Sequence, residues 1–287
     1  MKIIPLEIDL LFKKVFGDND GIRRLEGLVS ILLQVPYEEV KGNVIVLNGE
    51  KRINNKRSKR QSVDVIAEVT ITTGTIRLNV EVNLKKGTTL ERNILYAAGM
   101  LSSQLQNKEG YENIRPVIQI NFNNYEINEK NPNIVKRCYI KDETNTIISK
   151  ILEIDYINID KCHEIWYNKN IEEIDKRDRD LVRIGALLTI KNIEDFKECL
   201  GEIGMEKEIK EDIVDKVLEF NEAEEMLLYY NKEEEDEKIR KGDIALARKE
   251  GKQEEKMAIV KALLKENWDI EFILRVTDLT KEEIMKI

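Results

Sequence analysis

Apolar and polar positions along this chain follow two periods, and the changes between them mark its elements. From Glu7 to Phe16 the apolar residues Leu11, Phe12, Val15 and Phe16 form a helical stripe. Gly17-Asp18-Asn19-Asp20-Gly21 closes that helix with turn residues. A second helix is predicted from Ile22 to Leu33, stopped near Pro36, and a short strand over 44–47 before Asn48-Gly49. The period then falls to two. Residues 63–71 (VDVIAEVTI) and 76–84 (IRLNVEVNL) flank Thr72-Thr73-Gly74-Thr75, which predicts a β-hairpin. A helix over 89–106, with Thr89 as N-cap, and a strand over 116–122 follow. Strand, helix and strand in sequence imply a mixed α/β sheet with a crossover. Residues 137–140 and 151–159 read as further strands.

From about Asp178 the pattern is helical, over 178–190, 193–202, 205–230 and a long polar helix across 238–265. Two short helices end the chain, the last opened by a Thr280/Glu283 capping box. The expected organisation is an α/β domain over 1–175 and an acidic α-helical region over 176–287.

The hairpin's alternation sorts its side chains. Asp64, Ile66 and Glu68 share one face of the first strand, opposite Val63, Val65, Ala67 and Val69. Asn79, Glu81 and Asn83 share one face of the second, opposite Leu78, Val80 and Val82. If the polar faces coincide, Asp64, Glu81 and Asn83 converge. Two carboxylates so placed, with the intervening backbone carbonyl of Val82 and waters, suit one Mg²⁺. The same pattern also describes an ordinary solvated sheet face, and Glu68, a further ligand candidate, reads better as a solvated or salt-bridged carboxylate.

Composition narrows the chemistry. The 287 residues include 47 Lys plus Arg and 55 Asp plus Glu, for a net charge of −8. No run approaches the ~18 apolar residues of a membrane span, and Met1-Lys2-Ile3-Ile4-Pro5 does not open a signal peptide. Cys138, Cys162 and Cys199 are odd in number and far apart, which excludes a disulfide framework and a CxxC zinc pair. A reducing cytoplasm fits. His163 is the one histidine and no GxSxG elbow occurs, so carboxylates, amides and lysines are left for any active site. Such groups favour a hard cation. The net charge hides a split: residues 1–150 hold 23 basic and 18 acidic side chains, and residues 151–287 hold 24 and 37. Within the basic part, KRINNKRSKRQS (51–62) has six basic residues and no acidic one. The run 219–237 has nine acidic residues and one basic, and reads as a solvated helix face or spacer.

Asp64, the sixteen residues after it, and Glu81-Val82-Asn83 together resemble the core of the PD-(D/E)XK nuclease superfamily. The wider chain resembles its branch of PD-(D/E)XK nuclease family transposases, the Rpn-like recombination-promoting nucleases of bacteria. The resemblance begins at Asp9-Leu10-Leu11-Phe12-Lys13-Lys14-Val15-Phe16-Gly17, similar to the family's D-x-x-F-K-x-x-F-G opening. It continues through Arg92, Tyr96, Gln104-Leu105, Gly110-Tyr111 and Pro116-Val117-Ile118-Gln119-Ile120. It ends in Lys249-Glu250-Gly251-Lys252 and Ile273–Thr280.

The resemblance implies an α/β/α restriction-endonuclease-like core with a mixed central sheet, followed by an α-helical region. It implies a DNA endonuclease using Mg²⁺ or Mn²⁺, in recombination or phage defence. Asp64 and Glu81 become metal ligands with the Val82 carbonyl, and Asn83 stands where the superfamily carries Lys and this branch commonly Gln. Asn is shorter than Gln and uncharged. It orients water in an active site or marks a silent one.

Lys56, Arg57, Lys59, Arg60, Lys85 and Arg92 are the candidate DNA contacts. Asp9, Lys13, Tyr96 and Gln104 are candidate supports. Packing is the equal alternative for Arg92 and Tyr96, capping for Asp9 and an ordinary helix surface for Gln104. DNA is the expected partner, with no membrane. The last two helices lack a basic recognition face and read as a packing or oligomerisation element, through which a second copy would bind. The alternative to an enzyme is a catalytically inactive nuclease-like DNA- or protein-binding module.

Overall fold

The computed structural model describes residues 1–47, 65–84, 89–105, 110–223, 255, 257–266 and 268–277. By backbone contacts the chain divides into two compact units, Met1–Ala223 and Glu224–Ile287.

The first unit is built on six strands in the order β1-β2-β3-β4-β6-β5. They are β1 (Val44–Leu47), β2 (Val65–Ile71), β3 (Gly74–Asn83), β4 (Val117–Asn123), β5 (Val135–Lys141) and β6 (Ile147–Asn158). β1, β2 and β3 pair antiparallel, β3–β4 and β4–β6 pair parallel, and β5–β6 is antiparallel. The sheet is therefore mixed, as the resemblance implies. The parallel β3–β4 pair requires a crossover, and α4 (Thr89–Ser102) supplies it.

The two faces of this sheet differ chemically. On one, Val65, Ala67 and Val69 lie in register with Val80, Leu78 and Ile76, and Ile120, Phe122 and Ile157 extend the apolar surface. Helices α5 (Ile159–Tyr167) and α6 (Arg179–Thr189) cover this side. They approach closely because α6 has Gly185, where a Cβ would stand 2.7 Å from Cys162 Sγ and 3.5 Å from an Ile157 methyl. On the other face α4 packs Ala97 against Val117, Ile154 and Tyr156. That face carries the polar positions of β3 and β4, so the amides and acids lie inside the protein.

Element limits follow local chemistry. Helix α2 (Ile22–Leu33) matches its predicted span and ends where Gln34 adopts φ 57°, two residues before Pro36. Asn158 caps α5 by accepting from Lys161 N at 3.0 Å. Helix α7 (Ile193–Glu202) keeps its predicted bounds and is capped by Asn192. Helix α8 runs Lys207–Glu222, and α3 is a single turn, Tyr37–Val40.

Three expectations change. The predicted helix over 7–16 is an α-helix only at Asp9–Phe12 (α1) and then widens into a π-turn, Lys13–Gly17. Arg24 accounts for part of this, since its Nε donates to the Val15 carbonyl at 2.7 Å. Helix α5 is absent from the sequence reading, because the apolar run over 151–159 passes into it without a break. The expected boundary after residue 175 falls inside the first unit, because α6, α7 and α8 bury Leu187, Phe196 and Ile213 within it. In the second unit residues 257–265 are helical, as is Ile270–Thr277, and Val260 and Ile273 form a small core. Among the described residues no helix is long and apolar enough to cross a membrane.

The apolar side contains one buried acid, Asp155, opposite Arg137 on β5. Arg137 Nη2 donates to Asp178 Oδ1 at 2.5 Å, whereas Asp155 is 3.9 Å away. Burial, with the Glu153 charge, therefore pushes the Asp155 carboxyl up to about 8. Its folded value exceeds its ordinary 3.8, so its contribution to stability is complete below 3.8 and is lost as pH rises toward about 8. Relative to Asp155→Asn, the native protein should lose up to about 1.4 kcal/mol per pH unit across that window. Denaturant melts of both proteins at several pH values measure the difference; parallel pH profiles would contradict it.

Candidate active site

β3 carries Asn79, Glu81 and Asn83 on the face that α4 covers, and each is at most 4% exposed. The parallel register with β4 aligns them with Gln119, Asn121 and Asn123, also buried. The row through Glu81 continues to Tyr156 on β6 and Lys136 on β5. A polar band thus crosses four strands under α4.

Amides satisfy part of this band. Asn79 Nδ2 donates to Glu81 Oε1 at 3.1 Å. Gln119 Nε2 donates to Asn121 Oδ1 at 3.0 Å, and Asn121 Nδ2 to the Asp155 carbonyl at 3.0 Å. Each side chain is thereby oriented by the next. The carboxylate itself receives little compensation. Burial dominates and pushes the Glu81 carboxyl up to about 7, against the Asn79 hydrogen bond and the attraction of Arg92 and Lys13.

The charged neighbours come from two helices. Asp9 and Lys13 lie one turn apart on the first helix and its π-turn, joined at 2.7 Å, and both act electrostatically on Glu81. A π-turn in place of a regular helix is frequent at functional sites. Arg92 reaches from the first turn of α4 and donates through Nη2 to Asn83 Oδ1. Its guanidinium lies 5.8 Å from the centre of the Tyr96 ring.

The structure therefore brings Asp9, Lys13, Glu81, Asn83, Arg92 and Tyr96 into one region, with Val82 beside them on β3. Gln104 acts elsewhere: its side chain exchanges two 2.9 Å hydrogen bonds with the Arg115 backbone, joining the end of α4 to the approach to β4. Glu68 is ion-paired with Arg77 and Arg115, in agreement with the salt-bridged reading. Trp166 is buried and donates to Glu202 Oε2, and His163 bonds Thr189, which gives both structural contacts. Asp64, Lys56, Arg57, Lys59, Arg60 and Lys85 lie outside the described residues, as does most of the acidic run 219–237.

The sequence reading gave Gln119, Asn121 and Asn123 no place at the site. Their alternation in QINFN repeats that of β3, and this was the available signal for a second polar strand beside Glu81.

The donor set suits a hard cation in one respect: Glu81 is a buried carboxylate with no ion pair among the described residues, and such a group gains most from a positive charge. Asn83 turns its carbonyl oxygen to Arg92. Among the described residues no three His, Cys, Asp or Glu side chains cluster at metal-binding distance.

A family model described as PD-(D/E)XK nuclease family transposase matches residues 6–238. No curated protein and no solved structure matches the chain.

The buried acid has a direct consequence for stability. Glu81 is raised from 4.5 to about 7, so its ionised form opposes folding above that range. In metal-free buffer at pH 8, Glu81→Gln should stabilise the fold by up to about 3 kcal/mol. The gain should vanish near pH 4. Thermal melts with a chelator at both pH values test this, and a variant less stable than native at pH 8 would refute it.

Proposed function

The chain belongs to the PD-(D/E)XK nuclease family of transposases, and from that membership we propose a Mg²⁺-dependent DNA endonuclease that hydrolyses phosphodiester bonds. The observation that carries the reading is Glu81: a carboxylate held almost out of water, with Asn83 on the same face and Arg92 bonded to that amide.

Glu81, Asp64 and the Val82 carbonyl hold the ion. Asp64 directly precedes Val65, whose register partner Val80 directly precedes Glu81, and this adjacency supports the pairing of the two acids. Mg²⁺ or Mn²⁺ bound there supplies a Lewis acid that acidifies water and offsets phosphate charge.

The protein's own groups do the rest. Asn79 fixes the rotamer of Glu81 through its hydrogen bond. Asn83 orients the attacking water. Hydrolysis forms one P–O bond to water and breaks one ester P–O bond, leaving a phosphomonoester and an alcohol; the water's protons pass to the leaving oxygen and to solvent. Lys56, Arg57, Lys59, Arg60 and Lys85 draw the duplex to the hairpin by neutralising phosphates. The excess of acidic groups after residue 150 disfavours DNA there. The C-terminal helices serve contact with a second copy, and the cysteine usage suits a reducing bacterial cytoplasm. Recombination or phage defence is the setting this activity would serve.

The neutral Asn83 favours a second reading, a nuclease-like module that binds DNA or protein without cutting. The two readings separate in a nicking assay on supercoiled DNA. The enzyme reading expects nicking with Mg²⁺ or Mn²⁺, none with chelator, and loss in both Asp64→Ala and Glu81→Ala. Millimolar Mg²⁺ should also raise the melting temperature of the native protein and leave that of Glu81→Ala unchanged. Nicking that persists in chelator would reject the metal-dependent enzyme, and DNA binding without nicking would support the silent module.

A further inference from the structure

We propose that Arg92 and Asn83 form one phosphate-recognition unit, in which the guanidinium supplies the charge at the reacting phosphodiester and the Asn83 amide supplies a directed hydrogen bond. This rests on the nuclease reading and assigns a group to the charge that an uncharged Asn83 lacks.

Hydrogen-bond polarity carries the argument. A guanidinium has donors only. Arg92 Nη2 therefore requires the carbonyl oxygen of Asn83, and the amide cannot be flipped without losing the contact. The Asn83 Nδ2 group is left as a donor. It is buried and has no hydrogen-bond partner among the described residues, while the residue as a whole is 4% exposed. An unmade buried donor costs about 1–3 kcal/mol, which an acceptor entering beside Glu81 would recover. With its carbonyl turned to Arg92, Asn83 directs N–H into the site, and suits an oxygen-rich anion.

Arg92 has complementary properties. It is exposed, and among the described residues it forms no ion pair, so its charge is available at the entrance to the site. The Tyr96 ring one turn along α4 limits its freedom. It stands in the first turn of a fourteen-residue helix, where the helix dipole disfavours a cation and favours an anion. A cation placed against the dipole, bonded to an amide whose N–H is unpaired, fits an anion bound between them. The guanidinium fork matches two oxygens of one phosphate. The neighbouring Glu81 and Asp9 disfavour more highly charged ligands and leave a singly charged phosphodiester as the best match.

Single-turnover cleavage of a labelled duplex with Mg²⁺, beside duplex affinity in chelator, tests the unit in the full chain. Arg92→Ala should lower the cleavage rate about 100-fold and change affinity less than about threefold. Adding Asn83→Lys to Arg92→Ala should restore the rate to within about tenfold of native. Rate and affinity falling together would make Arg92 an ordinary backbone contact; an unchanged rate, or no rescue, would also overturn the proposal. If the native protein does not cut DNA, the nuclease reading fails separately. The unit is then decided by NMR titration with dimethyl phosphate: shifts of the Asn83 side-chain NH₂ that disappear in Arg92→Ala support it, and their absence in the native protein overturns it.

Discussion

Desolvation of the Glu81 carboxylate constrains much of what surrounds it. A carboxylate at 4% exposure is costly unless hydrogen bonds and opposite charge replace water. Here the replacement is partial. Asn79 makes one hydrogen bond, while Arg92 and Lys13 contribute at longer range and Asp9 works against them. The same layer contains other costs, since Asn83 Nδ2 and both side-chain polar atoms of Asn123 are buried without a hydrogen-bond partner among the described residues. Polar burial of this kind is poorly explained by folding alone, and is more readily understood as a surface arranged for something that binds.

The opposite face supports that arrangement by being ordinary. Apolar side chains from β2, β3, β4 and β6 pack under α5 and α6, and Gly185 lets α6 settle against Cys162. Hydrophobic burial on this side offsets polar burial on the other. Asp155 is the exception. Arg137 is shared between Asp155 and Asp178 but lies much nearer Asp178, and Gln34 also donates to Asp178 at 2.9 Å. The acid that loses this competition stays in a low-dielectric setting, where its neutral form is favoured.

Charge distribution gives the net value of −8 a different meaning. The segment with the candidate site has a basic excess, and the segment after residue 150 an acidic one. Steering of a polyanion depends on local potential and not on the sum. A chain of negative total charge is therefore compatible with the proposed DNA substrate.

The hydrophobic period determined much by itself. The hairpin, the α2 and α7 limits and the strand over 44–47 were legible because alternation and turn residues are local signals. The spacing of Glu81 and Asn83 on one face was legible for the same reason: side chains two apart on a strand point the same way. The sequence could not determine that this face would be covered. That depended on α4 crossing back over the sheet, and on β4 joining β3 in parallel so that Gln119, Asn121 and Asn123 aligned with Asn79, Glu81 and Asn83. The π-turn after Phe12, the bond from Arg92 to Asn83 and the unequal sharing of Arg137 were likewise decided in three dimensions. Periodicity records which way a side chain points, whereas burial and partners depend on which distant segment arrives there.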